Sequence, residues 1–445
     1  MINESKIKGL IDLALERAKG KVQGAEVTVV DNDLSSSRFA VNAMTQNQCR
    51  QCTEVSVRVL KNGRQVRLTS DNLSAQAICK LVDDAVTSVS FLERDPDFMP
   101  LPGKGRKQIP AVQRFDKATA KMSAAGRADA VRRIIDVANQ CQLTAAGEVA
   151  TGVISHAIGN SRGLYQFHSQ SEAHCSITMS GGESTGWSKA HQIAFGDLEI
   201  DALALRAAGK AISNVNPVEV PPGKYTVILE PSAVLDLLSY LWGDFAGTSY
   251  NDKLSCFLDK LGTKMFGSNI SIRDDVYHPL QAGAPFDGEG QLRQAVNLVE
   301  NGVVSNLVYG RKSAAKSGVS TSGHGLPEPC GEGEQASNII VVGGDSSLDE
   351  IIAKSERAIL LTRVWYVREV DPTSKIVTGM TRDGTFLVEN GKLVRAVKNL
   401  RFSQSLIEML NHVVAMGPSE RTAAEEGAPN VVPAMKVEQF NFAST

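Results

Sequence analysis

Three small groups of residues have types and spacings that could do chemistry. Cys49 and Cys52 form a CxxC, Asp287 and Glu289 stand two apart in PFDGEG, and His324 and Cys330 share the glycine-rich stretch SGVSTSGHGLPEPCGEGE. A CxxC is half of a zinc site or a redox pair. No second CxxC completes four ligands, so a chance spacing within a strand or its loop is the competing reading. His324 with Cys330 would need a third ligand nearby to hold a metal. The stretch that carries them is too long for a plain connector, and loops of that kind in compact domains are functional or disordered. His324 is therefore expected to be exposed and open to a ligand, with a loop histidine of no role as the alternative. Asp287 and Glu289 read either as ordinary turn residues or as carboxylates at a cleft edge that contact a peptide amine or guanidinium.

Other chemistries lack their signatures. The glycines of GEGE, Gly331 to Glu334, are followed by no Lys-Ser/Thr, and their acidic neighbours would repel phosphate. Neither a GxSxG elbow nor a GxGxxG between a strand and a helix is present. Forty-seven basic against 49 acidic residues leave a formal charge of -2, which offers no basic field to nucleic acid. No apolar run approaches the roughly 18 to 20 residues of a spanning helix. The opening MINESKIKGLIDLALERAKG is charged throughout and lacks the apolar core of a secretory signal, so a cytoplasmic location is expected. Seven scattered cysteines fit reduced thiols better than a disulfide framework.

The elements that must position these groups follow from periodicity. At 445 residues two domains are expected, 1–218 and 219–445, divided after the linker NVNPVEVPPG. The first half reads as helices over 5–18, 74–92, 123–141 and 200–213 around strands at 25–30, 54–60, 65–68, 148–158 and 164–168. The second half is strand-rich, and the fold class is α+β. Asn62-Gly63, Asn301-Gly302 and Asn390-Gly391 mark three two-residue hairpins, because both positions tolerate positive φ. Ser347 to Glu350 predicts a capping box, and 422–433 a small, flexible tail before a last strand at 435–442. From Pro221 a strand at 225–229 feeds a helix beginning near Ser232, with Val234, Leu235, Leu238, Leu241 and Trp242 at helical spacing. Ser239, Tyr240 and Asp244 are its polar insertions.

Segments in this order and spacing resemble the TldD/PmbA family of peptidase proteins, historically also labelled modulators of DNA gyrase. They are GAEVTVV near the start, NSRG at 160, PPGKYTVILEP at 221, FLDKLG at 257, APFDGEG at 284 and NLVENGVVSNLVYG at 297. STSGHG at 320, GDSSLDEII at 344, TGMTRDGTFLVENGKLVRAVKNLRF at 378 and VPAMKVE at 432 continue the match. The resemblance implies an N-terminal helix and antiparallel-sheet domain, a β-rich C-terminal domain, and a dimer around an enclosed peptide-cleaving site. In catalytic members, HExxxH on the helix after the PPGKYTVILEP strand and a cysteine near the C-terminus hold zinc, and the glutamate activates water.

Carried over residue by residue, Ser239 falls at the first histidine, Tyr240 at the glutamate, Asp244 at the second histidine, and Gly427 or Ala428 nearest the cysteine. The resemblance thus implies a PmbA/TldE-like subunit without a metal of its own, paired with a zinc-bearing TldD-like partner. Two alternatives stand beside it. One is a peptide-binding or regulatory homodimer without hydrolysis, and the other an enzyme whose chemistry has moved to His324, Cys330, Asp287 or Glu289. The charge pattern gives gyrase modulation no support.

Overall fold

The computed structural model describes residues 2–104, 112–425 and 428–443. Its first sheet takes strands β1 (Gly24–Ala40), β2 (Ala43–Lys61), β3 (Arg64–Ser70), β4 (Thr144–Asn160), β5 (Tyr165–Gly181) and β6 (Ser184–Gln192) in the order β3-β2-β1-β4-β5-β6. All its pairings are antiparallel. Helices Glu4–Ala18 and Ala75–Ser88 bury Ile7, Ile11, Ile78 and Val82 against Val27, Val29 and Val57. Helices Ala124–Gln140 and Ile200–Ser213 bury Val131, Ile134, Leu203 and Ala207 against Phe39, Val149 and Ile177. The alternate residues Val27, Val29 and Phe39 of one strand feed both clusters, so the four helices cover one face of the sheet.

The strands run much longer than the sequence predicts. β5 carries YQFHSQSEAHCSITMSG, in which buried Ala173, Cys175 and Ile177 alternate with half-buried polar residues. A sheet covered on one face tolerates such polar positions, and they weaken the pattern that marks a strand.

From residue 223 onward the chain builds two further sheets. Strand Gly223–Leu229 pairs in parallel with Arg357–Asp371 and antiparallel with Met435–Phe442. Met435–Phe442 pairs with Arg401–Ser405, which pairs with Ile376–Glu389, which returns to Arg357–Asp371. The path closes on itself as a five-strand ring. A six-stranded sheet alongside takes Val303–Val304, Val296–Glu300, Ile272–Asp274, Ile339–Val341, Asn430–Val432 and Glu420–Thr422 in that order. One core unites both sheets, with Phe245, Phe257, Phe266, Phe402, Phe440 and Phe442 buried in it.

The three Asn-Gly hairpins form, with φ of 52° and 73° at Asn62-Gly63, 50° and 84° at Asn301-Gly302, and 48° and 76° at Asn390-Gly391. The Ser347–Glu350 capping box is present. The segment 422–433 is no flexible tail in its described part. Ala423 and Ala424 are buried, and Asn430–Val432 is a buried strand bonded to both neighbours. Ala423 and Ala424 are small where the packing is tight. Among the described residues no helix is long and apolar enough to cross a membrane.

Candidate functional site

Glu230 ends the Gly223–Leu229 strand, and Pro231 opens the next helix at a position where a missing N–H costs nothing. The α-helix stops at Leu238, and Ser239–Phe245 continues as a 3₁₀ helix. This corrects the single helix predicted from periodicity. Leu241, Trp242 and Phe245 remain buried on the core side, so the apolar spacing survives the change of winding.

The tighter turn sends the three polar side chains in different directions. Ser239 Oγ donates to the Asp236 carbonyl at 2.9 Å, and Tyr240 Oη donates to the Val367 carbonyl at 2.8 Å. Both residues line a recess of about 40 Å³ with Asp236, Glu425 and the segment Val364–Val367. Asp244 lies elsewhere, buried. Its Oδ1 accepts the Cys256 amide at 2.7 Å, and its Oδ2 sits 2.5 Å from Lys375 Nζ. The same ammonium reaches Glu369 Oε1 at 2.8 Å and the Tyr240 carbonyl at 3.3 Å. Burial lowers the pKa of Lys375, but hydrogen bonds and attraction from Asp244 and Glu369 outweigh it, so the ammonium is held above its ordinary value. Burial raises the Asp244 carboxyl.

A fixed charge cluster walls the recess. Arg363 pairs with both Asp383 and Glu425, and its guanidinium lies over Trp187 at 4.7 Å and Trp365 at 5.5 Å. Lys189 donates to the Ala424 carbonyl at 2.5 Å. Trp187 and Lys189 belong to β6, so the first sheet contributes directly to the surroundings of Ser239 and Tyr240.

These side chains do not fit a zinc centre. Ser239 offers a neutral hydroxyl already donated, Tyr240 a phenol already donated, and Asp244 a carboxylate already neutralised by an ammonium. Among the described residues no group of three or more His, Cys, Asp or Glu is placed to hold a metal ion. Of the two positions nearest the expected cysteine, Gly427 lies outside the described residues and Ala428 has no donor side chain.

The other candidates are held by internal partners. His324, expected to be exposed, is completely buried. Its Nε2 stands 3.1 Å from Asp274 Oδ1, an ion-pair distance without the alignment of a hydrogen bond, and its Nδ1 meets Ser322 Oγ at 2.9 Å. Asp287 is buried and accepts the amides of Glu289, Gln291 and Gly325 at 2.8 to 2.9 Å. Glu289 is buried and accepts the Arg311 amide at 3.0 Å, with the Arg311 guanidinium 3.4 Å away. The glycine-rich loop folds inward around these carboxylates. A Cβ at Gly325 would stand 2.6 Å from Glu289 Oε2, which explains the glycine beside the histidine. Asp287, Glu289 and His324 come together as parts of one packed loop base, away from Ser239 and Tyr240. Cys330 lines a separate cleft of about 300 Å³ with Lys312 and Lys316, to which buried His324 does not contribute.

Cys49 and Cys52 are free thiols on β2. Three residues of extended chain rise about 10 Å, beyond the roughly 7 Å over which two Cα atoms can be bridged. The strand therefore holds them apart as two separate thiols.

Residues 222–444 match the family model described as PmbA/TldA metallopeptidase C-terminal domain. The chain belongs to the PmbA/TldD metallopeptidase family. It is 22% identical over 444 residues to Metalloprotease PmbA of Escherichia coli O157:H7, covering 96% of this chain and 95% of that one. It is 26% identical over 268 residues to a PmbA homolog of Haemophilus influenzae, spanning 58% of this chain and 56% of that relative. The crystal structure of TldE from Thermococcus kodakarensis superposes with a TM-score of 0.89 at 18% identity, covering 99% of this chain and 100% of that one. At that identity the likeness establishes the shared PmbA/TldD fold.

Sequence reasoning within this PmbA/TldD framework missed Lys375, Glu369, Asp236 and Glu425. None has a motif of its own. Lys375 in particular lies in the turn between Arg357–Asp371 and Ile376–Glu389, and only the closed ring of strands brings that turn to Asp244.

Proposed function

We propose that this chain is a non-catalytic subunit of a TldD-type zinc metallopeptidase that processes or degrades unfolded or modified peptides, pairing with a zinc-bearing TldD-like subunit. The observation that carries this reading is the stretch Ser239–Asp244. At the positions where the family resemblance places two zinc-binding histidines and a general base, the side chains are hydrogen-bonded or ion-paired within the chain. Water activation by zinc needs an open coordination position and a base beside it, and those belong to the partner. The role of this chain is to complete the chamber and hold an extended peptide. The outer edge of β2 supports strand addition, because β3 pairs with it only from Val55 to Lys61 and residues 43–51 are exposed. Division into units 1–218 and 219–445 is part of the same proposal. It is supported by a first sheet confined to residues 24–192, although Val218 already bridges to Val397.

The test is to purify the chain alone and mixed with a TldD-like subunit, then measure zinc by elemental analysis and cleavage of an unstructured peptide. The expected result is no stoichiometric zinc and no cleavage alone, and chelator-sensitive cleavage in the mixture. Chelator-sensitive cleavage by the chain alone would overturn the reading. A tight symmetric dimer that ignores TldD-like subunits would replace it with the peptide-binding homodimer.

A further inference from the structure

Lys375 is not among the positions that the resemblance assigns to zinc chemistry, and its ammonium is buried. Lys375 sits at φ 50°, in the left-handed region that suits glycine or asparagine and is unfavourable for a long side chain. Nothing in the local turn demands a lysine. Asp371 Oδ1 already caps it by accepting the amides of Thr373 and Ser374 at 2.9 and 3.1 Å. The side chain is nevertheless drawn inward until only 6% of it is exposed. There the three ammonium protons meet three oxygens: Asp244 Oδ2 at 2.5 Å, Glu369 Oε1 at 2.8 Å and the Tyr240 carbonyl at 3.3 Å.

We infer that the Lys375 ammonium is the internal cation that lets the buried Asp244 carboxylate close against the turn at 371–376, and that this pairing holds the Ser239–Phe245 stretch in place. The physical consequence is a tether. The 3₁₀ stretch Ser239–Phe245 and the turn at 371–376 are joined by a charge on each side. Removing the lysine strands the buried Asp244 carboxylate without its neutralising partner.

Lys375→Asn and Lys375→Gly separate this role from that of a turn residue, because the two readings predict opposite signs. Both substitutions relieve the left-handed backbone. If Lys375 served the turn alone, the thermal midpoint would rise or stay level, and that result overturns the inference. If it is the internal cation, the midpoint falls by about 5 °C or more, as expected when one partner of a buried pair is lost. Should the single variants fail to accumulate, the Lys375→Met/Asp244→Asn double variant, which carries neither charge, is expected to be recovered folded. A double variant no better than either single one counts against the pairing. The midpoint of the unaltered chain is expected to be indifferent to EDTA, and a fall with EDTA would also overturn the inference. These are stability readouts, so their failure is distinct from a failure to complement a TldD-like subunit in peptide cleavage.

Discussion

Replacing Glu289 by glutamine tests whether the base of the glycine-rich loop is a packed carboxylate cluster or a substrate contact. Burial, with the charge of Asp287 adding to it and Arg311 opposing, lifts Glu289 from an ordinary 4.5 to about 7. Burial raises Asp287 beside it as well. Between pH 4.5 and 7 the folded chain therefore keeps a proton that the unfolded chain has released. Stability falls as pH rises through that window, and the loss is complete above the folded value. At about 1.4 kcal/mol per pH unit, the Glu289 shift corresponds to a loss of about 3 kcal/mol. Glutamine stays neutral, and its carbonyl oxygen can still accept the Arg311 amide that Glu289 holds at 3.0 Å. Thermal unfolding followed by circular dichroism from pH 4 to 8.5 should give the smallest difference between the two proteins near pH 4, where Glu289 is mostly protonated in both states. The Glu289→Gln protein should lead by about 5 °C at pH 8. Parallel pH profiles would refute the reasoning, as would a variant that weakens peptide binding while leaving the slope unchanged.

Three further outcomes follow from the same geometry. Arg363→Met leaves Asp383 and Glu425 without their shared cation and should cost about 3 kcal/mol or more by urea unfolding, while Arg382→Met, whose guanidinium is half-exposed and 3.6 Å from Asp383, should cost under about 1 kcal/mol. Gly302→Ala places a Cβ 2.2 Å from the Phe266 carbonyl at φ 84°, so the variant should lose the hairpin or accumulate poorly, whereas Gly318→Ala, at φ 68° with open space around it, should cost only about 1 kcal/mol. Cys49→Ser and Cys52→Ser should leave the thermal midpoint and zinc content unchanged, and a thiol titration of the unfolded parent should count all seven cysteines as free.

What the sequence makes legible is local. The Asn-Gly hairpins, the Ser347 cap and the amphipathic helices each depend on residues within a turn or two of one another, and each forms where the pattern places it. The long strands are only half legible. β5 spends one face on polar residues, and no periodicity separates Ser169–Glu172 from a loop. The stop of the α-helix at Leu238 is illegible for a different reason. The apolar spacing of Leu235, Leu238, Leu241, Trp242 and Phe245 satisfies the core under either winding, so the residues that pack do not record which helix they pack from. His324 shows the limit most clearly. A glycine-flanked histidine in a long loop signals exposure, but its burial is decided by Asp274, a strand residue with no sequence mark linking it to the loop.

The candidate site stands at the same limit. In the linear sequence Ser239, Tyr240 and Asp244 are compatible with a void, with a ligand set or with internally paired side chains. Charge distinguishes them. A buried carboxylate at Asp244 with nothing opposite would be an uncompensated charge in a low-dielectric core, costly enough to unfold a marginal domain. A second carboxylate at Glu369 makes that worse unless a cation lies between them. Lys375 lies there, in a backbone conformation that a lysine does not otherwise favour. The pairing gathers three oxygens around one protonated nitrogen. Lys375 therefore neutralises Asp244 and Glu369 from within the chain, and replacing it should expose that requirement as a loss of stability.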